Sequence, residues 1–229
     1  GKGVRGGAPV CWPWFGAVEG KSAHGFVRTR LWQVTSSRHT ENETSITLTI
    51  QDDDSTRQVW NHCFTLNLIL TLGEDLTITL ETNNTGDADF TITEALHTYF
   101  GVGDLAQTQV VGLVGVRYLD KFQSMSEFTQ SGNILMNGEE VDRVYLDTNG
   151  DVSIEDAQLN RQIIIGKNSA PTTIVWNPGV EKEKGFADMA EGDYRQMLCV
   201  ESGTAGNAQV TVPAQSQHSL TVVYRLQTM

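Results

Sequence analysis

Between Leu31 and Asn84 the chain repeats one pattern. Short runs in which Thr alternates with Ile, Val or Leu are separated by polar turns. LWQVTSS, TSITLTI, VWNHCFTLNLILTL and DLTITLETNN carry the period of two that sends apolar side chains to one face of a strand. Their β-branched residues suit a pleated surface better than a helix. Turns at Asp52-Asp53-Asp54 and Gly73-Glu74-Asp75 join them into an antiparallel meander. The same character returns in residues 91–100, 108–116, 139–147, 152–154, 161–165, 172–176, 195–203, 209–212 and 219–225, while residues 125–135 look polar and irregular. Only residues 181–191 have the composition of a short helix. The prediction is an all-β fold of mostly antiparallel strands. With no linker and no repeat, residues 1–229 form a single domain.

Charge and cysteine usage narrow the function classes. A net charge of −12 disfavours nucleic acid and anionic membrane as partners. It leaves room for a small anion, because a few arginines make a local positive site. Cys11, Cys63 and Cys199 form no CxxC pair, and their odd number suggests reduced thiols in a cytoplasmic protein. No apolar run approaches the roughly 20 residues of a membrane span. The chain opens GKGVRGG without an initiator methionine and is read as lacking its natural N-terminus. DDDS lacks the spaced ligands of a calcium loop. No P-loop, GxGxxG unit or GxSxG elbow appears.

Two strands carry the chemistry. In TITEALHTYF, Thr91, Thr93, Ala95, His97 and Tyr99 share a small, polar face, while Glu94 falls among core positions. In RQMLCVESG, Met197, Cys199 and Glu201 share one face, with Leu198 and Val200 on the other. A carboxylate in an apolar strand is costly unless it has partners or a task. One imidazole and one carboxylate on rigid strands are the parts of concerted acid–base catalysis. They are equally the parts of a hydrogen-bonded core histidine and a buried ion pair. Asp142 and Arg143 are adjacent in VDRVY and so point to opposite faces of their strand.

The loops supply cations. VRGGAPVCWPWFG is too broken by Gly and Pro for a helix, and it places Arg5 beside two glycines. In SAHGFVR, His24 and Arg28 flank Gly25 and Phe26. Two guanidinium groups such as Arg5 and Arg28 can fork a phosphate, or can make ordinary ion pairs. His24 and His97 can meet in space, although their spacing does not demand a metal site.

Taken in order, RGGAPVCWPWFG, AHGFVR, ALHTYFGVGD, YLDK, VDRVY, TTIVWNPGVEKEKGFADM and CVESG span nearly the whole chain. This ordered set resembles the aldose 1-epimerase (galactose mutarotase-like) superfamily, and within it the hexose-6-phosphate mutarotase branch. The resemblance implies a galactose mutarotase-like β-supersandwich with an open sugar cleft. It also implies that about 50 or more N-terminal residues, including early strands, are missing, given the length such a sandwich needs. It makes His97 the general acid and Glu201 the general base. Arg5 and Arg28 become sugar-phosphate ligands, Asp142 holds sugar hydroxyls, and His24 lies in the same cleft. Ala23 stands where relatives often carry a substrate-binding Gln. No metal or redox cofactor is implied; the expected partner is a small-molecule sugar phosphate, and the chain is expected to be a monomer. An acid at position 97 must stay protonated near neutral pH, which predicts a neighbouring carboxylate, with Asp142 the candidate. A free-aldose 1-epimerase and a non-catalytic phosphosugar-binding sandwich are the alternatives.

Overall fold

The threonine-rich alternation builds one long sheet edge. In the computed structural model, which describes residues 5–229, Gln33–His39, Thr44–Gln51, Phe64–Leu72 and Leu76–Asn84 pair in that order. The sheet continues through Gln217–Thr228, Arg161–Asn168, Val152–Asp156 and Thr108–Val111 to Ile134–Leu135, nine strands in all. A second sheet runs from Val10–Cys11 through Ala95–Leu96, Met197–Gly203, Thr172–Asn177, Val141–Tyr145 and Arg117–Asp120 to Ser126–Thr129. Tyr99–Gly101 adds to it by pairing with Met197–Gly203. Every described strand pair is antiparallel.

The two sheets enclose the main core. Leu66, Leu80, Ile154, Ile165, Leu220 and Val222 from the nine-stranded sheet share one buried cluster with Val175, Leu198, Val200 and Tyr145 from the other. Each such side chain contributes about 1.5–3 kcal/mol by leaving water. Because Leu198 and Val200 take this inner face, Cys199 and Glu201 are turned to the outer face of the same strand. The loop after Arg5 plugs one end of the core. Trp12 packs on Phe64 with ring centroids 4.5 Å apart, and its Nε1–H donates to Thr82 Oγ1 at 3.0 Å.

The structure departs from the sequence prediction at two places. The acidic triplet and Val59 do not make a turn leading into a strand, because Asp54–Val59 is an α-helix. Asp53 caps it: its Oδ1 accepts from the Thr56 N–H at 2.7 Å, and Thr56 Oγ1 accepts from the Asp53 N–H at 2.9 Å. Residues 125–135 are not irregular throughout, since Ser126–Thr129 pairs with Arg117–Asp120. The charged segment after Pro178 begins with the short helix Gly179–Glu183. Among the described residues, no helix is long and apolar enough to cross a membrane.

Candidate active site

Strand register brings the imidazole and the carboxylate together. Leu96 pairs with Ser202 and Tyr99 pairs with Cys199, so His97 falls opposite Glu201. The ladder is interrupted between those pairs. The His97 N–H donates instead to the Pro9 carbonyl at 2.9 Å, and the Tyr99 N–H donates to the Gly7 carbonyl at 2.8 Å. The loop that carries Arg5 is thereby stitched to the strand that carries His97. Beyond Glu201 the strand passes so close to its neighbour that a Cβ on Gly203 would lie 2.3 Å from the Glu94 carbonyl oxygen. The Ser202-Gly203 ending of this strand is therefore a packing requirement.

His97 Nε2 lies 3.3 Å from Glu201 Oε1, with side-chain exposures of 12% and 1%. His97 Nδ1 and Glu201 Oε2 are buried and have no hydrogen-bond partner among the described residues. Burial lowers the His97 pKa to about 3, and the charges of His24, Arg28 and Arg5 act in the same direction. Burial, then the Asp142 charge, raises Glu201 well above the usual carboxylate range, while Lys121 and Arg28 oppose that rise. Both groups are driven toward their neutral forms, so the pair holds one proton between imidazole and carboxyl.

Aromatic rings wall this pair. Tyr99 stacks on His97 at 5.0 Å, and Trp176 meets His97 edge-on at 6.1 Å. Ile174, opposite Glu201, joins Val144, Phe15 and Leu119 in a second, smaller apolar cluster on the outer face.

Asp142 does not raise the His97 pKa, as the sequence predicted it would. Its Oδ2 pairs with Lys121 Nζ at 2.5 Å, and its charge raises the pKa of Glu201 rather than that of His97. The carboxyl facing the imidazole is Glu201 itself. The His97 pKa is lowered, not raised, because desolvation and neighbouring cations outweigh any carboxylate. Asp142 and Arg143 do point to opposite faces, with Arg143 over the Tyr118 ring and paired with Asp120 at 3.3 Å.

The remaining predicted residues lie around the same pair. His24 has a left-handed backbone, its Nδ1 is 3.5 Å from Cys11 Sγ, and its ring meets His97 edge-on at 5.6 Å. Burial lowers its pKa to about 4, with Arg28 and Lys121 adding to the effect. Arg28 is exposed and donates through Nη2 to the Ala23 carbonyl at 3.1 Å, which is the only described role of Ala23. The Arg5 guanidinium lies 3.9 Å over the Phe186 ring. Its Nε also pairs with Asp188 Oδ2 at 3.2 Å.

Sequence reasoning did not assign Lys121, Trp176, Phe186 or Asp188. A signal existed for Lys121: Asp120 pairs with Arg143, so the next step outward sets Lys121 beside Asp142. No local signal marked Asp188. Among the described residues, no group of three or more His, Cys, Asp or Glu is arranged to hold a metal ion.

Comparisons with known proteins point one way. The family model described as aldose 1-epimerase matches residues 1–225. A protein of Escherichia coli (strain K12) named "Putative glucose-6-phosphate 1-epimerase" is 36% identical over 220 residues, which is 95% of this chain and 73% of that protein. The crystal structure of "a putative mutarotase (YeaD) from Salmonella typhimurium" matches with a TM-score of 0.92 at 33% identity, over 100% of this chain and 76% of that one. The Slr1438 protein of Synechocystis sp. PCC 6803 matches with a TM-score of 0.82 at 21% identity, over 100% of this chain and 80% of that one, and so shares the fold. A family match that runs from the arginine loop to the last strand takes in both sheets and the strands that carry His97 and Glu201, and the chain belongs to the aldose 1-epimerase family.

Proposed function

We propose that this chain interconverts the α and β anomers of a hexose 6-phosphate, as a glucose-6-phosphate 1-epimerase. The observation that carries the proposal is the buried contact between His97 Nε2 and Glu201 Oε1, with cations on Arg5 and Arg28 close enough to act on His97. The E. coli relative's name supplies the substrate class.

The chemistry needs one acid and one base at a single carbon. A cyclic sugar opens when the C1 hydroxyl loses its proton and the ring oxygen gains one. Those two oxygens are bonded to the same carbon, so their catalysts must sit side by side, as His97 and Glu201 do. In the form with the proton on His97, Glu201 takes the hydroxyl proton and His97 protonates the ring oxygen. The C1–O bond of the ring breaks and an aldehyde forms. Rotation about C1–C2 presents the other face, and the same transfers in reverse close the ring. Each positioned transfer contributes roughly 10²–10⁴-fold. Trp176 and Tyr99 offer apolar faces to the sugar ring, and Asp142, beside Lys121, offers a carboxylate to its hydroxyls.

Arg28 and Arg5 hold the phosphate. Charge-assisted hydrogen bonds to guanidinium are about twice as strong as neutral ones, and a neutral sugar has no use for them. The free cysteines agree with a cytoplasmic protein, and a monomer suffices because all the proposed residues come from one chain. One observation favours a free aldose instead: Arg5 is already paired with Asp188.

Exchange NMR between the anomers of glucose 6-phosphate and of glucose tests the assignment. Glu201→Gln is expected to reduce catalysed exchange by about 10²–10⁴-fold. Arg28→Ala is expected to raise KM for glucose 6-phosphate by about tenfold or more, with a smaller change in kcat. A wild-type protein that exchanges glucose as efficiently as glucose 6-phosphate would transfer the activity to free aldoses.

A further inference from the structure

Asp188 is 183 residues from Arg5 in sequence, yet both of its oxygens face the guanidinium: Nε to Oδ2 at 3.2 Å and Nη2 to Oδ1 at 3.4 Å. This is the two-point fork that a phosphate would make with the same group. Neighbouring contacts reinforce it. Phe186 lies under the guanidinium at 3.9 Å and reaches Trp176 at 6.4 Å. The two ends of the loop are anchored separately. Buried Glu183 accepts from the N–H groups of Gly192 at 2.9 Å and Tyr194 at 2.7 Å, and Asn177 Nδ2 donates to the Tyr194 carbonyl at 2.9 Å. The middle of the loop, residues 184–189, is exposed apart from Phe186 and Met189. Its described ties to the cleft are the two contacts to Arg5 and the one to Trp176.

We infer that Asp188 is a built-in stand-in for the substrate's phosphate. It occupies Arg5 while the cleft is empty and yields it when a phosphate arrives, so it tunes which sugars the site retains. The inference rests on the phosphate role proposed for Arg5. A doubly charged phosphate outcompetes one carboxylate at the same fork, and the displaced carboxylate is exposed enough to be solvated. Its side chain is 49% exposed, against 26% for Arg5. The exchange is therefore cheap on the Asp188 side, and the loop middle loses an anchor when it occurs. A neutral sugar cannot drive the exchange and meets Arg5 already neutralised.

The test titrates inorganic phosphate into wild type, Asp188→Asn and Arg5→Ala at low ionic strength, by calorimetry and as competitive inhibition of anomer exchange. Asp188→Asn is expected to tighten phosphate by about two- to five-fold, the range set by an exposed ion pair. KM for glucose 6-phosphate should fall by a similar factor, without a matching change in KM for glucose. Hydrogen exchange in residues 184–189 of the wild type should quicken when phosphate saturates the site. Phosphate binding that depends on Arg5 but is unchanged or weakened in Asp188→Asn would overturn this inference alone. Exchange in residues 184–189 that is unchanged or slowed by phosphate would do the same. No phosphate binding by the wild type, or binding indifferent to Arg5→Ala, would overturn both this inference and the phosphate role of Arg5.

Discussion

Glu94 Oε1 lies 2.9 Å from His218 Nε2 across 124 residues of sequence. The contact ties the segment just before His97 to the Gln217–Thr228 strand of the nine-stranded sheet. The Glu94 backbone is equally engaged: its N–H donates to Thr204 Oγ1 at 3.0 Å, and its carbonyl accepts from the Thr204 N–H at 2.8 Å. One residue thus joins three pieces of chain behind the strands that carry His97 and Glu201. Glu94 is fully buried, and burial raises its pKa. Removing one partner of such a pair strands the other, so Glu94→Ala is expected to cost about 3 kcal/mol or more. Glu94→Gln keeps a hydrogen bond to His218 and should cost about 1 kcal/mol. Urea unfolding of the two variants checks the order.

The contribution of buried His24 to stability should fall in mild acid. An imidazole in the unfolded chain titrates near about 6.5. In the folded protein His24 titrates at about 4, chiefly because it is buried. Between those values the unfolded chain binds a proton that the folded chain does not. The contribution is therefore complete above the unfolded value and is lost as pH falls toward the folded one, by up to about 1.4 kcal/mol per pH unit. His24→Asn removes one titrating group at a left-handed position that Asn tolerates. Comparing unfolding free energies at pH 7 and pH 5 should show a shallower loss for this variant.

Gly25 is the backbone pivot between His24 and Phe26. Its φ is +75°, and a Cβ there would lie 1.8 Å from the Trp12 carbonyl oxygen. That carbonyl also accepts the Phe26 N–H at 3.2 Å, so it cannot retreat without losing a bond. Gly25→Ala is expected to cost more than about 3 kcal/mol, through overpacking added to backbone strain. Gly206→Ala is the comparison. Gly206 also has a positive φ, +62°, but the nearest atom to its Cβ would be 3.7 Å away. It should cost only about 1 kcal/mol. Thermal melts of the two variants separate steric overlap from strain.

The β architecture and the His97–Glu201 pair were legible because both depend on a period of two. Face alternation put His97 and Glu201 on small or polar faces of their strands, and antiparallel register did the rest. Glu94 was visible as a carboxylate among core positions, yet its partner was not, since nothing local to His218 announces Glu94. Asp53 misled because Asp favours turns and helix N-caps alike, and only the reciprocal bond with Thr56 decides between them. The pKa-raising role predicted for Asp142 failed for a similar reason. A strand pattern shows which face a carboxylate takes, but the cation it meets, Lys121, arrives from a neighbouring strand end. Asp188 sits in a charged stretch that reads as a solvated helix, and only the folded loop returns it to Arg5.

The seclusion of Glu201, with 1% of its side chain exposed, has a consequence for how the cycle renews itself. In the proposed reaction, opening the ring moves the shared hydrogen from imidazole to sugar and another from sugar to carboxyl. Closing it on either face sends both home. The catalyst finishes each passage in its starting form, so bulk water need not recharge it, and the two directions of the reaction use one and the same state of the protein.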